Sequence, residues 1–154
     1  MKKSVQQKIH ISVRKQELSL KAGRRNLAIY PVSTSRFGLG SKEGSLKTPT
    51  GRFRIAEKIG DGMPLGTVFK SRRPVKATKK MMREDDLVMT RILWLDGIDP
   101  RNANTYERFI YIHGTNHEGE IGEPASHGCI RMRNSDLVEL FDRVGVDTPV
   151  MIKA

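Results

Sequence analysis

Apolar and polar residues alternate along the first part of the chain. Ile9, Ile11 and Val13 share one side of a short run, and Leu18 and Leu20 follow after Arg14-Lys15-Gln16. Apolar positions two apart, interrupted by a polar cluster, predict a hairpin over residues 8–21. Leu27 to Val32 predicts another strand. Ser33 to Leu46, rich in glycine and serine, predicts a loop. Thr48-Pro49-Thr50-Gly51 reads as a turn, with Phe53 and Ile55 continuing as a strand. Leu87 to Leu95 predicts a strand and Asp96 to Tyr106 a loop. The apolar run Phe109 to Ile112 then predicts a buried strand ending at His113. Residues 116–124 form a polar, glycine-containing loop.

The period changes once. Leu137, Leu140, Phe141 and Val144 recur at i, i+3, i+4 and i+7, the stripe of a half-buried helix. Asn134 or Ser135 is the expected cap, Asp136 suits the first turn, and Gly145 ends the helix. Packing behind the cysteine segment described below, this helix is expected to fix its position. Thr148 to Ile152 predicts a last strand. The fold class is therefore mainly β with one main helix. A chain of 154 residues suits one domain, read as a tail over 1–8 and a domain over 9–154.

Charge narrows the partners. Lys and Arg total 28 against 17 acids, a net charge of +11 that favours anionic ligands or, more simply, solubility. Aromatic residues are few and none alternates with the basic ones as a nucleic-acid stacking platform would, so no nucleic acid is expected. Seven basic residues crowd 70–83 and Glu84-Asp85-Asp86 follow. This basic insertion, 70–86, is either a solvated loop or a flap over a site. No run approaches the ~20 apolar residues of a membrane span. Met1 to Lys8 begins basic, but no apolar stretch follows, so neither a signal peptide nor a transmembrane segment is expected.

Candidate chemistry centres on Ala125 to Met132, which holds the single cysteine, Cys129, behind Ser126, His127 and Gly128. A lone thiol cannot form an internal disulfide, and with histidines nearby it is a candidate nucleophile. Acyl transfer needs a base, an orienting group for the base, and N–H donors for the carbonyl oxygen. The amides of His127, Gly128 and Cys129 are candidate donors, and Gly128 lets the chain approach a substrate closely. His113, at a rigid strand end, is favoured as base over His127, which is read as a supporting hydrogen-bonding group. Other readings stay open. The thiol fits a small buried hydrophobe. His113, His117, His127 and Cys129 supply four metal ligands within 17 residues, in a spacing that matches no common zinc pattern. A redox sensor would lack a resolving cysteine. His117 is expected to be solvated.

The run from Ile112 to Ile152, IHGTNHEGEIGEPASHGCIRMRNSDLVELFDRVGVDTPVMI, resembles the catalytic core of the YkuD-type L,D-transpeptidases, bacterial cell-wall enzymes. KIHISVRKQELSL resembles their opening strand pair, and LAIYPVSTS with KTPTGRFRI their second signature, so the likeness spans about Ile9 to Ile152. It implies a β-sandwich with the main helix after the cysteine. It also implies Cys129 as nucleophile, His113 as its activator, and Gly114 as the residue whose carbonyl orients His113. Ser126, His127 and Gly128 match the residues leading into the nucleophile. Arg131 matches an arginine that would hold a substrate carboxylate or a loop. The implied substrates are peptidoglycan stem peptides. The thiolate attacks the third residue of a tetrapeptide stem, D-alanine leaves, and an amine on a second stem takes the acyl group in a 3–3 cross-link. Water as acceptor would make an L,D-carboxypeptidase or a related amidase. Carbapenems are expected to acylate Cys129, and no metal or cofactor is expected. Location in the cell envelope or periplasm follows from the resemblance and conflicts with the missing export signal. A monomer is expected. The rival of another class is a non-catalytic basic module that binds wall polymer or nucleic acid.

Overall fold

A computed structural model describes residues 6–154. Most of the expected tail, residues 1–5, lies outside the described residues, and Gln7 and Lys8 already belong to a strand. The expected first hairpin forms from β1 (Gln7–Ser12) and β2 (Glu17–Ala22), with β3 (Arg25–Ser33) antiparallel beside it. Then come β4 (Gly51–Ile59), the short pair β5 (Val68–Lys70) and β6 (Arg73–Val75), helix α1 (Lys79–Glu84) and β7 (Val88–Gly97). The chain ends with β8 (Tyr111–Gly114), β9 (Ile130–Met132), helix α2 (Asn134–Arg143) and β10 (Pro149–Lys153).

Eight strands follow one another around the sheet as β4-β10-β1-β2-β3-β9-β8-β7, and β7 pairs back with β4. The sheet thus closes on itself, leaving β5 and β6 as an extension from β7. β1–β10 and β8–β9 are the parallel pairs. Alternation explains the two faces. Ile9, Leu18, Val32, Phe53, Leu93, Ile112, Ile130 and Val150 point inward and form one core with Leu137, Leu140, Phe141 and Val144 of α2. Their neighbours Ile92, Trp94 and Tyr111 point outward and make a second cluster with Phe69 and Cys129. The inner face thus builds the main core, and the outer face of β7–β8 carries the smaller cluster that includes Cys129.

The helix ends differ from expectation. Asn134 is the first helical residue and is buried, while Arg133 sits at the cap with no side-chain cap bond. At the other end the chain turns extended at Val144, and the Lys58 ammonium receives the loose ends. It donates to the carbonyls of Phe141 and Val144, each at 2.7 Å, and lies 4.2 Å from the Phe141 ring centre. A cation is favourable at a helix C-terminus, and it does here what a left-handed glycine would otherwise do.

Candidate active site

Three segments bring the site together. β8 ends in His113-Gly114, and β9 begins one residue after Cys129, parallel to β8, with Ile112 opposite Ile130 and His113 opposite Arg131. Cys129 therefore lies beside Tyr111, whose N–H donates to Sγ at 3.3 Å. Tyr111 and His113 are two apart on one strand and share its outer face. The thiol itself donates to the Phe109 carbonyl at 3.3 Å. Among the described residues it makes no hydrogen bond to His113.

His113 is 3% exposed. Its Nδ1 lies 2.5 Å from the Gly114 carbonyl oxygen. A carbonyl only accepts, so Nδ1 carries the proton and Nε2 keeps a lone pair. Burial lowers the His113 pKa from its ordinary value, with the Gly114 carbonyl and Asp86 opposing that shift in part. Burial pushes the thiol of Cys129 up to about 11, against the Tyr111 N–H, which favours the thiolate. At rest the pair is a neutral imidazole and a neutral thiol.

The cysteine loop is held from several sides. Gly128 has φ of +122°, a backbone that side chains disfavour, and an added Cβ would meet the Lys47 carbonyl at 3.3 Å. Ser126 Oγ donates to the Cys129 carbonyl at 2.6 Å and accepts the Gly128 N–H at 3.3 Å. That bond removes the Gly128 amide from the expected set of carbonyl-binding donors. Thr48, fully buried, donates to the Gly128 carbonyl at 3.0 Å and accepts the Ser35 N–H at 2.9 Å. The expected 33–46 loop begins after β3, which takes Ser33, and forms a braced ledge: the Ala125 and Ser126 N–H groups both donate to Thr34 O.

The basic segment is ordered. β5 and β6 form a hairpin whose turn residues Ser71 and Arg72 both have positive φ, 49° and 66°. Arg72 reaches back over the outer face, 4.9 Å from the Trp94 ring centre, and donates to the Tyr111 hydroxyl at 3.2 Å. Asp86, at the end of the segment, accepts from Arg131 at 2.7 Å and pairs with His127 Nδ1 at 3.0 Å. Arg131 is only 2% exposed and also pairs with Glu120 at 3.0 Å. It ties two loops to β9.

His127 does not share a face with Cys129 in an extended segment; it turns outward to Asp86. His117 is half-buried rather than solvated, with Nε2 3.1 Å from the Asp85 carbonyl. The residues that sequence reasoning missed are Asp86, Thr48 and Asn134. Asn134 accepts from Thr90 Oγ1 at 2.6 Å and donates to the Thr115 carbonyl at 2.8 Å, bracing the turn after His113. The helix thus positions the histidine segment directly, where the cysteine loop was expected. A Cβ on Gly114 would overlap Asn134 Oδ1 and approach the Met89 carbonyl to 2.7 Å. Two clefts open here: one of about 220 Å³ holds Cys129, and one of about 710 Å³ lies against α1.

Comparison with known proteins identifies the family and the fold. The YkuD family, described as an L,D-transpeptidase catalytic domain, matches residues 6–152. The chain is 27% identical over 145 residues to the L,D-transpeptidase homologue YkuD of Bacillus subtilis, covering 94% of this chain and 64% of that protein. It is 51% identical over 43 residues to the homologue YbiS of Escherichia coli, covering 28% of this chain and 14% of that protein. The chain thus spans less than two thirds of the curated relatives it matches. Among solved structures, an L,D-transpeptidase from Xylanimonas cellulosilytica superimposes with a TM-score of 0.64 at 19% identity, covering 99% of this chain and 63% of that one. L,D-transpeptidase 3 from Mycobacterium tuberculosis, bearing a faropenem-derived adduct, gives 0.62 at 14% identity, covering 96% and 60%.

Proposed function

Since this chain belongs to the YkuD family of L,D-transpeptidase catalytic domains, we propose that it transfers peptidoglycan stem peptides through an acyl-enzyme on Cys129. The observation that carries the reading is His113, held as the Nδ1–H tautomer by Gly114 O, on the strand beside which the half-buried thiol of Cys129 leads into β9. Cys129 rotates toward His113, whose Nε2 takes the thiol proton as sulfur attacks the carbonyl of the third stem residue. C–S forms, the bond to D-alanine breaks, and His113 returns the proton to the leaving amine. Backbone N–H groups of the cysteine loop other than that of Gly128 stabilise the oxyanion. An amine of a second stem then takes the acyl group, giving a 3–3 cross-link.

The roles of the other residues follow their contacts. Gly114 orients the base, Ser126 and Gly128 shape the loop, and Arg131 anchors the flanking segments rather than a substrate carboxylate. The site of action is the cell envelope, where the substrate lies; no described helix is long and apolar enough to cross a membrane. The test is incubation with a disaccharide-tetrapeptide and mass analysis of the products. Release of D-alanine with a dimeric product supports transpeptidation. Release of D-alanine with only a tripeptide product would make the enzyme an L,D-carboxypeptidase, and no release would reject both. Cys129→Ser should keep less than about a tenth of the activity, because a serine hydroxyl is far harder to ionise.

A further inference from the structure

We propose that Asp86 is a positioning residue that makes His127 the proton acceptor for the amine in the second half-reaction. The inference rests on the acyl-enzyme proposed above. Asp86 Oδ2 lies 3.0 Å from His127 Nδ1 and 2.7 Å from Arg131. Burial raises the Asp86 pKa, but the hydrogen bonds from His127 and Arg131 outweigh it and hold the carboxyl below its ordinary value. An ionised carboxylate only accepts, so the proton of this contact belongs to His127 Nδ1, and the proposed role falls to Nε2. No described residue hydrogen-bonds Nε2.

Placement gives Nε2 a use. His127 is the one residue that lines both clefts. Asp86 lines only the larger, so Nδ1 marks the edge of the ring toward α1. His127 also borders the cleft that holds Cys129. His113 is buried and sits where it can serve the thiol, whereas His127 is exposed and can meet an amine arriving from solvent. The amine nitrogen forms a bond to the thioester carbonyl carbon, C–S breaks, and sulfur leaves as thiolate. The surplus proton of the amine passes to Nε2 and returns from there to sulfur, closing the balance. Asp86 stabilises the transient imidazolium, as a carboxylate does in a triad.

The test separates the half-reactions. Acyl-enzyme formation from a tetrapeptide donor and its decay in excess D-amino acid are followed by rapid-quench intact mass. Asp86→Asn and His127→Gln should each lower the ratio of transfer to acylation at least tenfold, so that acyl-enzyme accumulates. Asp86→Glu should recover part of the ratio, and added imidazole should restore transfer in His127→Ala. An equal slowing of both steps, an unchanged ratio in both variants, or no imidazole rescue would overturn the assignment. Absence of any acyl-enzyme in the unaltered protein would overturn the proposed function and this role with it.

Discussion

At the scale of single residues, the resting site is uncharged at its reacting atoms. With the Cys129 thiol near 11, only about one molecule in ten thousand carries a thiolate at pH 7. The thiol should therefore alkylate with iodoacetamide at a rate that climbs about tenfold per pH unit between pH 7 and 10. A plateau already below pH 8 would mean a preformed thiolate–imidazolium pair. His113 gives the opposite limb. Its pKa is lowered from 6.5 by burial, so it stays a neutral base at neutral pH, and the acid limb of acylation should fall below 6.5. Protonation below that point removes the lone pair that accepts the thiol proton, so activity is lost as pH falls. For the same reason His113→Ala should reduce D-alanine release more than His127→Ala. The reverse order would assign the first base to His127.

At the scale of elements, the site depends on how α2 and the loops meet the strands. Asn134→Ala leaves the Thr115 carbonyl and the Thr90 hydroxyl without their partner. That should cost about 2 kcal/mol in urea unfolding and slow acylation by meropenem, because the turn that carries Gly114 O loses its brace. Normal acylation in a destabilised protein would confine Asn134 to folding. These contacts also show what was legible in the chain. Cys129 and His113 stood out because each is a rare, reactive residue in a local pattern, and α2 stood out through its apolar stripe. Asp86, Thr48 and Lys58 are ordinary polar residues whose roles arise from partners 41, 80 and 83 or more positions away. Spacing along the chain carries no sign of such contacts. The basic run 70–86 was visible as a charge cluster, but its hairpin and helix form because Val68, Leu87, Met89 and Met81 find one another across the fold.

At the scale of the whole molecule, closure of the sheet through β4 and β7 places β1 and β8 on opposite sides of the ring. The outer side of β7–β8–β9 is free for the site because the core is filled from within by α2 and the inward residues of the eight ring strands. A net charge of +11 should draw the protein to anionic peptidoglycan. Sedimentation of the Cys129→Ala protein with sacculi should therefore weaken several-fold as the Debye length falls from about 10 Å at 0.1 M salt toward about 3 Å at 1 M. Binding indifferent to salt would mean that charge serves solubility alone. The most direct test of the central claim is intact-mass spectrometry after incubation with meropenem. The account predicts one adduct, on Cys129, absent from Cys129→Ala. An unmodified protein whose thiol also resists iodoacetamide at pH 9 would make Cys129 a structural residue and contradict the account.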